Sequence, residues 1–381
     1  MHQHTWIELS RNALLHNLQA MKAHIAPHVK FMFVVKANAY GHGLAQILSI
    51  AESEEHLVDA YGVHSIEEAE DIRKSGIKKP VYVLGYIPFD HLERIIRLNV
   101  TPVVTNIETL LKLDHISTTH KKDISVHLKC ETGTYRQGIL IDELSHFATL
   151  FQNNTFLRLD GMTTHFANIE DTTDHGYAFT QLERFHQFLH EAELLGLHPS
   201  MNHVACSAAL LLFPQTHFSM VRAGISSYGF WSSKETQLSH ILEQKYECTL
   251  KPVLTWKTIV GHIKTVPPDC YIGYGGTYKT THSTKLAVLP IGYYDGYDRG
   301  MSNIGYVLVK GMRAPIRGRV CMNMTIVDVT HIPDVKLEDE VILLGTTDRD
   351  TIGADTIASF LGTINYEVVT RISPRIERMI V

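Results

Sequence analysis

The chain has 381 residues, which is long enough for two domains with their own hydrophobic cores. A hydrophobic content of 44% and a charged content of 20% are typical of a globular protein. The net charge of −5 at pH 7 leaves no basic surplus for nucleic acid or an anionic membrane. No run approaches the roughly 18 apolar residues that a membrane-spanning helix needs.

The N-terminal sequence and the cysteines indicate the cellular compartment. MHQHTWIELSRNALL lacks the basic start and apolar core of a signal peptide. The five cysteines are scattered, with no C-x-x-C pair, which favours a reducing cytoplasm over a disulfide framework. The 24 histidines form no H-E-x-x-H or similar cluster, so no metal site is predicted. We therefore expect a cytoplasmic protein.

Between residues 31 and 230, short apolar runs alternate with segments of helical periodicity, such as SIEEAEDIRKSG and FTQLERFHQFLHEAELLG. The apolar runs predict eight strands: FMFVVK, DAYGV, VYVLG, VTPVVT, ISVHLK, LDGMTTH, NHVACS and SMVRAG. Eight strands that alternate with helices predict a (β/α)8, TIM-like barrel. A doubly wound open sheet is the structural alternative, but its usual G-x-G-x-x-G after the first strand is absent.

The pattern changes after WSSKETQLSH, residues 231–240. Strand-like runs such as PVLTWKTIVGHIKTV, KLAVLPIG and EVILLG now follow one another, with turns that contain Gly or Pro. This pattern predicts a mainly β second domain. TWIELS, residues 5–10, precedes the first helix and is a candidate strand of that domain. The expected division is 10–232 for the barrel and 1–9 plus 240–381 for the β domain.

The stretch FMFVVKANAYGHG, residues 31–43, ends an apolar strand on Lys36. In a (β/α)8 barrel, the C-terminal ends of the strands form the active site. An amine beside an apolar wall has a lowered pKa, which favours the neutral form that makes Schiff bases. Taken alone, Lys36 is explained more simply as a lysine that extends from a strand end into solvent.

Other predicted strand ends add polar residues at the same rim, which makes a functional site the better interpretation. Several of them lie at strand-to-helix turns, where free backbone N–H groups and a helix dipole bind phosphate. Tyr40 is a candidate to add a hydroxyl there. The rim residues are Lys129, Arg136, His165, Ser207, Arg222, Gly224 and Ile225.

VVKANAYGHG resembles the pyridoxal-phosphate lysine motif of alanine racemases. HLKCETGTYRQG, residues 127–138, is similar to the K-x-D-T-G-M-x-R-x-G segment of that family. Further family-like segments follow in the same order along nearly the whole chain, which makes the resemblance specific. They are GMTTHFAN, HVACSAA, VRAGISSYG, IGYGGTY, LPIGYYDGYDRG, IRGRVCMNMTIVDVT and TINYEVVTRISPRIER.

The resemblance implies a barrel followed by a β domain, in a homodimer with active sites shared between chains. Lys36 would hold the cofactor covalently and act as the base facing D-alanine, and the partner chain's Tyr274 would face L-alanine. His165 would pack on the pyridine ring, and Arg222 would bond to its nitrogen. The phosphate would be held by Tyr40, Ser207, Gly224, Ile225 and Tyr366.

The resemblance also assigns a substrate side. Lys129 matches a position that is carbamylated in many relatives, and it would then orient Arg136 toward the substrate carboxylate. An unmodified lysine near Glu131 is the alternative. Met322 and Tyr293 of the partner chain would line the substrate side, although Tyr293 could equally be a packed interface residue. Departures from the family pattern leave the shape of the pocket open: Glu131, Thr134, Cys206 and Asn323.

The expected function is alanine racemisation with pyridoxal phosphate, supplying D-alanine for peptidoglycan. A broader or serine-directed racemase is one alternative. A decarboxylase of the same domain plan is another, but that family places a glutamate at the ring nitrogen, where this chain has Arg222. A non-catalytic cofactor-binding protein would resemble the barrel alone, whereas this chain carries a second domain of normal size.

Overall fold

The computed structural model describes residues 4–243 and 248–381, so residues 1–3 and 244–247 of the predicted β domain lie outside the described residues. The strands, in chain order, are β1 Thr5–Leu9, β2 Lys30–Val34, β3 Ala60–Val63, β4 Val81–Val83, β5 Thr101–Val104, β6 Ile124–Lys129, β7 Leu157–Thr163, β8 Met220–Ala223, β9 Leu254–Ile259, β10 His262–Val266, β11 Tyr271–Ile272, β12 Tyr278–Lys279, β13 Thr284–Leu289, β14 Tyr306–Val309, β15 Met312–Pro315, β16 Thr325–Asp328, β17 Glu340–Thr346, β18 Thr351–Ile352 and β19 Glu377–Ile380.

The helices run between and after these strands. They are α1 Arg11–Ala23, α2 Lys36–Tyr40, α3 Leu44–Ala51, α4 Ile66–Lys74, α5 Arg94–Leu98, α6 Ile107–His120, α7 Leu144–Asn153, α8 Gly176–Leu194, α9 Ser207–Leu212, α10 Lys234–Glu243, α11 Ala354–Leu361 and α12 Asn365–Thr370. Within the described residues, none of these helices has the length and apolar character needed to cross a membrane.

The chain divides into two compact units. One, the barrel unit, contains Leu14–Ala39 and Leu48–Lys251. The other, the β unit, contains the described residues of Met1–Ala13 together with Tyr40–Ile47 and Pro252–Val381. The short segment Tyr40–Ile47, which follows Lys36 in the chain, thus belongs to the β unit.

The barrel unit contains a parallel sheet of seven strands in the order β7-β6-β5-β4-β3-β2-β8. Its strands are almost continuously buried, as parallel strands with both faces covered must be. The helices between them are amphipathic; α4, for example, buries Ile66, Ala69 and Ile72 at helical spacing. The barrel architecture predicted from the alternating pattern is confirmed.

Seven of the eight predicted barrel strands form, but the prediction for NHVACS was wrong. The segment makes one isolated parallel bridge, between His203 and Thr163. Its Asn202 side chain accepts a hydrogen bond from the Met162 N–H at 2.9 Å. A side-chain bond therefore replaces one of the backbone bonds that a regular strand would make to β7. The segment still lies between β7 and β8, because the Arg222 N–H donates to the Ala205 carbonyl at 3.0 Å.

The β unit contains antiparallel sheets, as the second half of the sequence predicts. The larger sheet has the order β15-β14-β17-β9-β1-β19, with β18 paired to β17, and a smaller one has the order β10-β13-β16. The N-terminal strand β1 pairs antiparallel with β9 and parallel with β19. Burial alternates along β1 and β9, which is the pattern of a sheet with one face on a core.

Candidate active site

The sequence predicted that Lys36 ends the first barrel strand, and this prediction was wrong. β2 ends at Val34, and Lys36 opens α2, a turn whose residues Ala37, Asn38 and Ala39 have φ of 54°, 54° and 52°. This left-handed conformation costs about 1–2 kcal/mol for each residue with a side chain. Such strain persists only where the surroundings enforce it, and it concentrates at functional sites.

In the barrel unit, Glu68 holds the start of this turn. Its Oε1 accepts the Ala37 N–H at 2.6 Å, and its Oε2 accepts the His64 N–H at 2.7 Å. Glu68 also takes part in the capping box with Ser65 that begins α4. One carboxylate therefore joins the N-terminus of a helix to the backbone beside Lys36.

The residues after Lys36 are fixed within the β unit. Gly41 has φ +78°, and a Cβ at this position would lie 2.0 Å from the Val369 carbonyl oxygen. The buried Arg378 donates through Nε and Nη2 to the Gly41 carbonyl at 3.2 and 2.9 Å. The ring of Tyr40 lies 6.1 Å from the ring of Tyr366. Two of the predicted phosphate-binding residues are therefore neighbours.

The barrel unit gathers the predicted cationic residues around Lys36. Burial, followed by the charges of Arg136 and Arg222, lowers the pKa of Lys36, and the carboxylates of Glu68 and Glu170 oppose this shift without cancelling it. Burial, with the same two arginines, lowers the pKa of Lys129 well below its usual value. Both amines are therefore shifted toward the neutral form, which is the nucleophilic one.

The pKa of His165 indicates a positive electrostatic potential around Lys36. Burial lowers the pKa of His165 well below its usual value, and the charges of Lys129, Arg222, Arg136 and Lys36 lower it further. No carboxylate is among the causes of this shift. His165 is therefore a neutral ring in a region of positive potential, a region that favours an anionic ligand.

Arg222 is 7% exposed and is held rigidly by neutral acceptors. Nη1 donates to Thr163 Oγ1 at 3.0 Å, to the His203 carbonyl at 2.8 Å and to His203 Nδ1 at 2.6 Å. Nη2 donates to the carbonyls of Thr164 and Val204 at 2.9 and 2.8 Å, and to His165 Nδ1 at 3.3 Å. Burial lowers the pKa of Arg222 to about 10, so the guanidinium stays charged at neutral pH.

The remaining phosphate candidates in the barrel unit also come together. The Gly224 N–H donates to Ser207 Oγ at 3.0 Å, and Ser207 and Ile225 are buried. Ser207 begins α9, and Ile225 follows β8. The two turns after the last strands of the barrel therefore supply one hydroxyl and the backbone of a tight turn.

Two of the departures from the family pattern have a structural role. Glu131 Oε1 accepts the N–H groups of Gly133 and Thr134 at 2.6 and 2.7 Å, and Thr134 Oγ1 donates to the His165 carbonyl at 2.6 Å. These bonds shape the loop that carries Arg136, which is exposed. Glu131 and Thr134 thus connect the Arg136 loop to the backbone of His165.

Cys206 is a partly exposed thiol. Its Sγ lies 3.9 Å from Glu170 Oε2, and burial raises the pKa of Cys206 to about 12. Burial, followed by repulsion from Asp171, raises the pKa of Glu170 to about 7. A protonated thiol is a poor nucleophile, so the raised pKa favours a structural role over a reactive one.

The residues predicted to serve a partner chain lie on the surface of the β unit. Tyr274 is 75% exposed, in the turn Tyr274–Gly276, and Tyr293 and Met322 are also exposed. The Tyr293 N–H donates to the Cys321 carbonyl at 3.1 Å, so the turn of Tyr293 lies beside the loop of Met322. Asn323 is exposed in this loop, and nothing in the structure explains its departure from the family pattern.

The sequence prediction missed several residues of the site: Glu68, Glu170, His203 and Arg378. Glu68 had a local signal, because Ser65-x-x-Glu68 is a capping-box pattern at the start of a predicted helix. His203 and Arg378 lie in the segments HVACSAA and TINYEVVTRISPRIER, which carry the resemblance but did not indicate their partners. His203 and Arg378 reach their partners across long stretches of chain, which no local pattern reveals.

The chain matches the family models of the alanine racemase N-terminal domain over residues 9–231 and C-terminal domain over 253–380. It is 39% identical over 384 residues to the alanine racemase of Leptospira interrogans, covering 99% of this chain and 96% of that protein. The alanine racemase of Bacillus anthracis, solved with bound L-Ala-P, is 32% identical with a TM-score of 0.91, covering 100% and 96%. That of Bartonella henselae, solved with covalently bound pyridoxal phosphate, shares the fold at 24% identity, with a TM-score of 0.86 and 99% coverage of each chain. The chain therefore belongs to the alanine racemase family, and the decarboxylase alternative is not favoured.

Proposed function

We propose that the chain interconverts L-alanine and D-alanine with pyridoxal phosphate, using Lys36 and the partner chain's Tyr274 as two opposing bases. The observation that carries the proposal is the cationic region around Lys36. The charges of Lys129, Arg136, Arg222 and Lys36 all act on the neutral ring of His165. An amine of lowered pKa within this region suits a covalent attachment point.

The residues present fit an anionic cofactor with a phosphate and a ring. Ser207 Oγ and the turn at Gly224 and Ile225 offer a hydroxyl and backbone groups for the phosphate. Tyr40 and Tyr366, adjacent in the β unit, offer two more hydroxyls. His165 supplies a neutral ring for packing. We therefore assign the cofactor to Lys36, Tyr40, His165, Ser207, Arg222, Gly224, Ile225 and Tyr366.

When bound, pyridoxal phosphate supplies an electron sink that makes the α-proton of an amino acid acidic. Racemisation removes that proton on one face and returns a proton on the other, so two bases on opposite faces suit it. Lys36, with its lowered pKa, would serve the face of D-alanine. The hydroxyl of Tyr274 would serve the face of L-alanine. Arg136 would bind the substrate carboxylate, and Met322 and Tyr293 of the partner would line its other side.

Arg222 would select the reaction. A guanidinium donates hydrogen bonds and cannot accept a proton, so beside a ring nitrogen it disfavours protonation of that nitrogen. With the ring nitrogen kept unprotonated by Arg222, the cofactor would be a weaker electron sink, and proton return to the cofactor, which is the path to transamination, would be limited.

Lys129 is proposed to carry a carbamate. Its pKa is well below the usual value because of burial and two neighbouring arginines, which favours the neutral amine that reacts with carbon dioxide. The carbamate would be an anion that pairs with Arg136. A carbon-13 carbonyl signal from protein exchanged with labelled bicarbonate, absent in Lys129→Gln, would test the modification.

Exposed apolar side chains on the β unit support a homodimer. Large side chains on adjacent loops of this unit are exposed, and such a patch on a folded protein indicates an interaction surface. They are Tyr271, Tyr274, Tyr293, Tyr294, Met322 and Met324. A partner chain would cover them and place Tyr274 in its neighbour's site.

The predicted domain division, 10–232 and 1–9 plus 240–381, and the cytoplasmic location stay part of the proposal, although the compact units place Tyr40–Ile47 in the β unit and extend the barrel unit to Lys251. Five free cysteines without a pairing pattern suit a reducing compartment. Supply of D-alanine for peptidoglycan is the role that membership of the family implies. Serine remains a substrate to test, because a pocket discriminates against one added hydroxyl only weakly.

The role of Lys36 is tested by covalent attachment. Protein loaded with pyridoxal phosphate is reduced with borohydride, digested and analysed by mass spectrometry. We expect the cofactor mass on the Lys36 peptide, and its loss together with racemisation in Lys36→Ala. Lys74→Ala, which changes an exposed lysine, is the control. A cofactor still fixed at another lysine in an active Lys36→Ala protein would refute the assignment.

The role of Tyr274 is tested by exchange of the α-proton for deuterium. Tyr274→Phe removes the hydroxyl and should slow exchange from L-alanine at least 10-fold more than exchange from D-alanine. Tyr271→Phe, three residues away and also exposed, is the matched control. Equal slowing for both enantiomers would contradict the two-base scheme.

A further inference from the structure

A chain of polar side chains in the barrel unit connects Arg222 to a carboxylate at the edge of the core. Arg222 Nη1 lies 2.6 Å from His203 Nδ1. His203 Nε2 lies 2.8 Å from His127 Nδ1. His127 Nε2 lies 3.5 Å from Asp160 Oδ2. Both histidines are fully buried, whereas the Asp160 side chain is 40% exposed.

The direction of every bond in this chain follows from Arg222. A guanidinium only donates, so the 2.6 Å distance from Nη1 assigns His203 Nδ1 as an acceptor and the proton of a neutral His203 to Nε2; Thr163 Oγ1 lies 3.0 Å from the same Nδ1 and is a hydroxyl that can also donate to it. That proton is donated to His127 Nδ1, which places the proton of His127 on Nε2. Nε2 is buried and makes no hydrogen bond to any described residue, and the nearest carboxylate oxygen, Asp160 Oδ2, lies 3.5 Å from it, so the attraction between the two groups is electrostatic.

Both rings are held neutral. Burial, followed by the charge of Arg222, lowers the pKa of His203 well below its usual value. Burial also lowers the pKa of His127, although Asp160 acts in the opposite direction. The bond from His127, ahead of other causes, lowers the pKa of Asp160, so the carboxylate is the anionic end of the chain.

The backbone is shaped to make this contact. The pairing of β6 with β7 shifts between Val126 opposite Leu159 and His127 opposite Gly161, which leaves Asp160 as an extra residue in the bulge. Bulges near active sites redirect a side chain. Gly161 has no side chain, and a Cβ there would lie 2.8 Å from His127 Cε1.

We propose that Asp160 and His127 are positioning residues for Arg222. The carboxylate fixes the tautomer of His127, His127 fixes that of His203, and His203 Nδ1 then stays an acceptor that orients the guanidinium. A carboxylate near one ring nitrogen of a histidine makes the other ring nitrogen a stronger hydrogen-bond acceptor. Hydrogen bonds that follow one another in a network also strengthen each other. The functional consequence rests on the proposed role of Arg222: a loosely held guanidinium would admit transamination.

The variants separate the bonds of the chain. His127→Leu removes both contacts of the ring. His127→Asn keeps an acceptor where Nδ1 lies but cannot reach Asp160. Asp160→Ala removes the carboxylate alone. His217→Leu is the matched control, because His217 is another buried histidine of the barrel unit, bonded through Nε2 to the Leu210 carbonyl at 3.0 Å.

The first readout needs no cofactor. Nitrogen-15 NMR of cofactor-free protein labelled at histidine, assigned with these variants, reports which ring nitrogens carry protons. We expect His203 and His127 to be neutral at pH 7, each protonated on Nε2 only, and Asp160→Ala to shift the signals of both rings. A proton on Nδ1 of either ring, or a doubly protonated ring, would overturn the proposal.

The second readout is the ratio of pyruvate formed to alanine racemised in the loaded protein. We expect His127→Leu and Asp160→Ala to raise this ratio at least 10-fold, His127→Asn to raise it less, and His217→Leu to leave it unchanged. An unchanged ratio in the first two variants would refute the positioning role. If wild-type protein fails to racemise alanine, the proposed function falls, and the NMR result still decides the tautomer chain.

Discussion

Gly41→Ala is expected to destabilise the β unit strongly, because this position combines a left-handed backbone with a close backbone neighbour. Gly41 has φ +78°, and an added Cβ would lie 2.0 Å from the Val369 carbonyl oxygen and 2.9 Å from its carbon. Neither atom belongs to a flexible side chain. The substitution therefore requires a backbone shift in a segment that also carries Tyr40 and the Arg378 bonds.

The magnitude has two parts. The left-handed conformation costs an alanine about 1 kcal/mol relative to glycine. Forcing an extra carbon into a packed site costs about 1–3 kcal/mol more. The free energy of unfolding should therefore fall by about 2–4 kcal/mol.

Gly362→Ala separates the two parts. Gly362 lies in the same unit with φ +67°, and nothing is within 4 Å of its added Cβ. Urea unfolding of cofactor-free protein, followed by circular dichroism, should show a loss of about 1 kcal/mol for Gly362→Ala. The loss for Gly41→Ala should exceed it by at least about 1 kcal/mol. Equal losses for the two variants would refute the reasoning from the Val369 contact.

Three further predictions concern the barrel unit of cofactor-free protein. Burial raises the pKa of Glu170 from 4.5 to about 7. The free energy of unfolding of the wild type should therefore fall by up to about 3 kcal/mol relative to Glu170→Gln as the pH rises from 4.5 to 7. A difference between the two proteins that stays constant with pH in urea titrations would contradict this. Burial lowers the pKa of Lys36, so its protonation opposes folding below its unfolded pKa of 10.5. Lys36→Met should therefore raise the melting temperature at pH 7, with a gain that shrinks toward pH 10.5, and a loss of melting temperature would count against it. Glu68→Ala removes the acceptor of the Ala37 and His64 N–H groups, so it should lower the free energy of unfolding in urea by about 2–3 kcal/mol. The control Glu67→Ala, at an exposed site, should lower it much less.

The barrel could be predicted because parallel strands and amphipathic helices leave separate periodic signals. The segment NHVACS also has a strand-like composition, but the bond from Met162 to Asn202 replaces part of its ladder, and composition does not reveal such a bond. The conformation after Lys36 was not predictable, since Ala37 and Ala39 have no preference for a left-handed turn. It is imposed by contacts that are distant in sequence, such as that of Glu68.

The candidate site was predictable where residues follow strands and match a family motif. The residues that hydrogen-bond to these site residues and orient them were not predictable. Asp160 meets His127 only because a bulge shifts the register of two strands, and His203 meets Arg222 only after the barrel has formed. A sequence pattern identifies the residues at the rim of the barrel, but the bonds that orient them depend on the folded backbone.

The most direct test of the account is a proton NMR time course of purified protein with added pyridoxal phosphate on L-alanine in D2O, with a chiral assay of the endpoint. The account predicts loss of the α-proton signal and convergence on equal amounts of L- and D-alanine. Unchanged L-alanine, with the cofactor bound to the protein, would contradict it.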